Sequence, residues 1–254
     1  MTNPTPEAPA SGASGTEGGE RRPESPTEAW AELAAGNARF MAEAPKHPHQ
    51  DVHSRSVLAG RQRPFAIFFG CADSRVAAEI IFDQGLGDLF VVRTAGHVVD
   101  PSVLGSLEFG VGVLGCPLIV VLGHDSCGAV AAAIAAVESG DMPPGFLRDI
   151  VERVAPSVLT ARRRGRTDAE DVKREHVAQT AQLLASRSAL IHERVEDGSL
   201  AIVGAEYDLA HGRVRIVEAV GTIDLDTATD VAERATGADA SAASPEVSAS
   251  TAGG

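Results

Sequence analysis

The stretch PLIVVLGHDSCGAVAAAIAAVESG, residues 117–140, decides the fold. Its first half is a short apolar run that stops at Gly123, and its second half is an alanine-rich helical run closed by Gly140. A run that is apolar at every position, rather than at alternate ones, belongs to a strand buried on both faces. The same rhythm recurs on either side. FAIFFG (65–70) breaks off at CADSR, AAEIIFDQG (77–85) reads as a short helix, LFVVRT (89–94) as a strand and SVLGSLEFGVGVLG (102–115) as the helix after it. Downstream, helical spacing covers about 146–164 and 168–196, and SLAIVGAEYD (199–208) and HGRVRIVEAV (211–220) supply one or two more strands as a hairpin-like edge. Upstream, WAELAAGNARFMAEA (30–44) has the helical spacing of Trp30, Leu33 and Phe40, and APKHPHQDVHS (44–54) is expected to be a loop. The predicted fold class is α/β: a mostly parallel β-sheet flanked by helices.

The apolar residues, 44% of the 254, are concentrated in the middle of the chain. Residues 1–26 and 227–254 are so poor in large side chains that they cannot offset the entropy of ordering, and both read as disordered tails. One domain is expected over 27–226. No basic and apolar leader opens the chain, and no apolar run is long enough to span a bilayer, so a soluble, cytoplasmic protein with no membrane partner is expected. A net charge of −13 argues against nucleic acid as a partner. Three cysteines in such a chain favour metal or thiol chemistry over a disulfide framework.

In an open parallel sheet, ligands bind beyond the carboxyl ends of the strands, and CADSR and GHDSCG both sit at such ends. Cys71 closes one strand; His124 and Cys127 lie in the turn after another. A catalytic zinc takes three protein ligands, Cys2His among the sets used, with sulfur at about 2.3 Å and an open fourth position. Gly123 and Gly128 would let the backbone bend close to such an ion. Two other readings stand beside this one: the cysteines as small buried hydrophobes, or as a redox pair forming a disulfide. Asp73 is close enough to Cys71 for its carboxylate to reach the ion, and Arg75 is placed to hold that carboxylate away in a bidentate pair. A plain loop salt bridge is the alternative. His47, His49 and His53, in a loop with prolines, are assigned to solvent, His97 to a structural role, and Cys116 to the core.

CADSRV (71–76), RTAG (93–96) and GHDSCGAV (123–130), in this order and at strand ends, resemble the signature set of the beta-class carbonic anhydrases. The resemblance runs from the helix near Trp30 to the strand ending near Val220. It implies one zinc ion (Zn2+) per subunit on Cys71, His124 and Cys127, with Asp73 and Arg75 as a catalytic dyad. It places Gln62 as a hydrogen-bond donor to substrate, Phe90 in an apolar carbon dioxide pocket and Gly128 at that pocket's border. The implied activity is the reversible hydration of carbon dioxide to bicarbonate and a proton, by attack of hydroxide held on zinc. The implied assembly is a homodimer or homotetramer with active sites at the subunit boundary. Gln62 and Phe90 suggest the permanently accessible subtype. Phe109 stands where many members carry tyrosine, and His97 where many carry asparagine. A carbonyl sulfide or carbon disulfide hydrolase on the same fold, or a non-catalytic zinc-binding or thiol redox module, are the competing readings.

Overall fold

A computed structural model describes residues 22–226. The terminal stretches read as disordered lie outside the described residues, except for 22–26, which lead into the first helix. That helix, α1 (Pro26–Met41), starts at a proline preset for a first turn, and Ser25 caps it by accepting the Glu28 N–H.

Five strands follow, β1 (Ala66–Cys71), β2 (Leu89–Thr94), β3 (Leu118–His124), β4 (Ala201–Tyr207) and β5 (Val214–Val220), in the order β2-β1-β3-β4-β5. The first four are parallel and β5 runs antiparallel to β4. Every residue of β1, β3 and β4 is buried, as continuous apolar runs require, while the edge strands β2 and β5 are half-buried.

Helices cover both faces. On one side, Trp30 and Leu33 of α1 pack with Ile81 of α3 (Ala78–Ile81) over Phe68, Val120 and Val203. On the other, Leu107 of α4 (Pro101–Gly112) and Leu184 of α7 (Ala169–Arg187) lie over Ile67, Ile119 and Ile202, with Ile191 of α8 (Ala189–Glu196). A third cluster joins α5 (Gly128–Ser139) to α6 (Leu147–Arg163) and reaches Cys71 and Cys127. Helix α7 comes unusually near the sheet. A Cβ on Gly123 would lie 2.5 Å from Val177 Cγ2, and one on Gly204 would lie 2.9 Å from Val177 Cγ1.

Three expectations are corrected. The loop foreseen over 44–54 gives way at Asp51, which caps a short exposed helix, α2 (Val52–Leu58), so His53 is helical. The single helix foreseen over 168–196 is two. Ser188 ends α7 and caps α8, its Oγ accepting the Ile191 N–H and donating to Glu108 Oε1 at 2.6 Å. The helix foreseen over 77–85 stops at Ile81 because Asp83 turns left-handed (φ 45°) to receive three donors: Arg39 Nε at 2.6 Å, Lys46 N at 2.9 Å and His47 N at 3.0 Å. No helix among the described residues is long and apolar enough to cross a membrane.

Candidate metal centre

Strands β1 and β3 are hydrogen-bonded neighbours, so their last residues, Cys71 and His124, come side by side at the carboxyl edge of the sheet. The chain then turns through Ser126 (φ 54°) and brings Cys127 back as the residue that opens α5. All three are buried, and their ligand atoms lie within 4.8 Å of one another.

The imidazole is aimed by its backbone. Its Nδ1 lies 2.8 Å from the carbonyl of Asp125, which can only accept, so Nδ1 carries hydrogen and Nε2 faces the sulfurs. Asp125 is itself fixed, its N–H donating to Tyr207 O and its Oδ1 accepting the Leu209 N–H at 2.8 Å. His124 Nε2 is buried, and outside the sulfur cluster no hydrogen-bond partner meets it. An orphaned buried nitrogen beside two sulfurs is what a soft or borderline divalent cation satisfies, and the donor set fits zinc.

Proton sharing within the cluster points the same way. The Cys127 thiol foremost, then His124 and the Gly96 N–H, stabilise a thiolate at Cys71 and hold its pKa well below the usual thiol range; the same sharing pushes Cys127 up. Burial opposes charge on His124, but the Cys71 thiolate outweighs it and raises the imidazole pKa. A cation takes the place of such shared protons. Within the chain, Cys71 also accepts from Gly96 N at 3.3 Å, and Cys127 faces the amides of the first turn of α5.

Asp73 and Arg75 form the bidentate pair expected of them. Arg75 Nε donates to Oδ1 at 2.9 Å, Nη2 to Oδ2 at 2.7 Å, and the Arg75 backbone N–H adds a third bond at 2.9 Å. These bonds hold the Asp73 carboxyl well below the usual carboxylate range. Its Oδ2 is 3.9 Å from His124 Nε2. The carboxylate is therefore beside the cluster but committed to arginine. The sequence reading assigned no role to Arg93, which braces this turn from β2, donating to Cys71 O at 2.9 Å and Asp73 O at 2.5 Å.

The other expected site residues fall elsewhere. Gly128 is exposed next to Cys127, with open space where a Cβ would stand. Gly123 makes room for Val177, whose Cγ2 a Cβ there would meet at 2.5 Å. Phe90 pairs with Ile67, four positions before Cys71, which separates it from the sulfur's level by about 13 Å of strand. Gln62 is exposed and precedes β1, toward the opposite end of the sheet. One chain thus does not bring Gln62 and Phe90 to Cys71. Phe90 touches Phe109 instead, ring centroids 6.0 Å apart, and Phe109 is 42% exposed. His97 is fully buried with neither ring nitrogen bonded, and Cys116 is buried with its thiol on Pro64 O. His47, His49 and His53 are exposed, His49 paired with Asp88.

A parallel α/β sheet carrying a metal-capable Cys–His–Cys cluster and a neighbouring carboxylate–guanidinium pair defines a narrow class, and similarity to known proteins agrees with it. Residues 66–214 match a family described as carbonic anhydrase. Carbonic anhydrase 2 of Mycobacterium tuberculosis is 58% identical over 198 residues, covering 78% of this chain and 96% of that protein. The carbonic anhydrase of Mycolicibacterium smegmatis is 54% identical over the same shares. Among solved structures, two tetrameric beta-carbonic anhydrases of the ascomycete Sordaria macrospora are represented by a chain 27% identical, with a TM-score of 0.58, covering 72% of this chain and 93% of that one. The chain belongs to the carbonic anhydrase family, in its beta class.

Proposed function

We propose that this protein is a zinc-dependent carbonic anhydrase that interconverts carbon dioxide and bicarbonate, with one zinc ion per subunit held by Cys71 Sγ, His124 Nε2 and Cys127 Sγ. The observation that carries this reading is His124 Nε2, buried, unpartnered and grouped with two sulfurs. Zinc bound there supplies a hydroxide nucleophile near neutral pH by lowering the pKa of its water toward ~7.

The chain's own residues do the rest. Arg75 keeps Asp73 ionised and turned away from the ligand set, so a fourth position stays available. Asp73, 3.9 Å from His124 Nε2, offers its remaining lone pairs to the hydrogen of the attacking group and so orients it toward carbon. Arg93 fixes the turn that carries both Cys71 and Asp73.

Gln62 and Phe90 serve substrate in this reading across a homodimer boundary, completing the pocket of the partner subunit in the accessible subtype. Their distance from Cys71 within one chain supports this, as does the apolar surface beside β2, where Phe109 and Val113 are 42% and 67% exposed. The Sordaria macrospora relatives are tetrameric, and either a dimer or a tetramer built from dimers satisfies the geometry. A cytoplasmic location is part of the same reading.

Stopped-flow hydration of carbon dioxide, with metal content measured on the same sample, tests it. The expected result is one zinc per chain and a hydration rate abolished by Cys71→Ser. Protein free of zinc, or zinc-loaded protein that leaves the uncatalysed rate unchanged, overturns it.

A further inference from the structure

Two histidines that belong to no ligand set are buried directly behind Cys71. The 3-10 turn Ala95–His97 follows β2, and its Gly96 is left-handed (φ 66°, ψ 21°). Gly96 is wedged between two parts of the metal centre. Its N–H points at Cys71 Sγ, and a Cβ on it would stand 2.6 Å from the Cβ of Ala129, in the first turn of the helix that Cys127 opens. Its carbonyl meets His176 Nε2, from α7, at 2.9 Å. On the other side of that ring, His176 Nδ1 is 3.0 Å from Ser157 Oγ on α6.

The direction of these bonds follows from donor capacity. A carbonyl can only accept, so His176 carries its hydrogen on Nε2. Burial lowers the pKa of His176 and keeps the ring neutral, which makes Nδ1 an acceptor and Ser157 the donor to it. Ser157 has a second neighbour, Gln179 Oε1 at 3.1 Å. The hydroxyl has one hydrogen and two acceptors before it, Nδ1 and the Gln179 amide oxygen, whose own NH2 is committed to Glu175, so the two share it; the Nε2–H that Gly96 O accepts follows from the carbonyl itself. The His97 ring lies against His176 with centroids 4.4 Å apart and offers no competing bond, since neither of its nitrogens has a partner.

We propose that His176 is a positioning residue for the metal-ligating sulfur of Cys71: it locks the left-handed Gly96 turn through the carbonyl, and the turn's amide then fixes the thiolate, with Ser157 holding the far edge of the ring in place. The route spans α6, α7, the turn after β2 and the end of β1. It rests on the reading of Cys71 as a ligand. An amide bonded to a thiolate both restrains its direction and withdraws charge from it, so losing the brace weakens the metal and changes its electronic environment.

Three variants, read by zinc competition against a chelator and by the sulfur-to-metal charge-transfer band of the cobalt(II)-substituted protein, test this. His176→Leu keeps bulk and removes the donor; zinc is expected to bind about 10–100-fold more weakly, with a shifted band. His176→Gln, whose amide N–H reaches the same carbonyl, is expected to restore most of the affinity and the band. Ser157→Ala is expected to show a smaller loss of the same sign, and it decides the matter if His176→Leu does not fold. Wild-type affinity and an unshifted band in His176→Leu, or in Ser157→Ala where that variant decides, overturn the proposal. So does a glutamine variant no better than leucine, which leaves packing alone. Wild-type protein that takes up neither metal sinks the assignment of the centre itself, a different result from wild-type metal binding unaffected by the variants.

Discussion

At the scale of single residues, the decisive contact is the fork between Arg75 and Asp73. Its three hydrogen bonds keep a carboxylate off the ligand set although it stands within 4 Å of His124 Nε2. Replacing Arg75 with alanine frees that carboxylate to compete for the open position. Steady-state hydration assays are expected to show kcat/KM falling about 10–100-fold, while zinc content stays at wild-type level. Arg75→Lys should recover little of it, because a lysine ammonium cannot supply two parallel N–H groups. Cys71, Asp73 and Arg75 share one short strand-end motif and His124 and Cys127 another; the pairing of β1 with β3 brings the two groups together, and each group was readable in the linear chain. His176, Ser157 and the clamping role of Arg93 were not. Gly96 and His176 are 80 positions apart, and nothing in the neighbourhood of either announces the other.

At the scale of elements, close approach of α7 to the sheet is set by Val177 fitting over Gly123 and Gly204. Gly204→Ala forces a methyl to 2.9 Å from Val177 Cγ1 and is expected to cost about 1–3 kcal/mol in urea unfolding. Adding Val177→Ala should return part of that loss, since the overlap is with that side chain. The loop between α1 and α2 has a different anchor. Burial works against charge on Asp83, but the Lys46 N–H, the Arg39 guanidinium and the His47 N–H outweigh it and hold its pKa below 3.8. A carboxyl lowered in the folded state stabilises the fold above its unfolded value and loses that contribution as pH falls through the folded one. Asp83→Asn should therefore lower stability by about 1.5–3 kcal/mol at neutral pH, with the gap to wild type closing below about pH 4. Thermal melts across pH 2–7 check this; a gap independent of pH contradicts it. The parallel strands were legible because continuous apolar runs bounded by glycine have one economical arrangement. Helix α2 was not, because it is only seven residues long and buries none of them fully, so no apolar periodicity marks it. Nor was the break at Ser188, where no glycine or proline marks the end and the chain turns extended at a serine that caps α8 and reaches Glu108 of a distant helix.

At the scale of the whole molecule, the sheet has one chemical end and two edge strands, β2 and β5. On the β2 side, Phe109 of α4 and Val113, which caps the end of that helix, lie one helical turn apart, both exposed, and Phe109 touches half-buried Phe90. Placing a charge there with Val113→Asp is expected to shift the protein to monomers in analytical ultracentrifugation and to cut hydration, while Cys71, His124 and Cys127 keep their zinc. A monomer of undiminished activity refutes the shared-boundary arrangement.

The separation of Phe90 and Gln62 from the sulfur cluster has a kinetic corollary. On the proposed sharing of Gln62 and Phe90 with a partner subunit, a solitary chain would own two unfinished halves of different pockets and no whole one. Turnover per chain would then fade as the solution is thinned, and a plot of rate against enzyme concentration would bend upward from the origin rather than rise as a straight line.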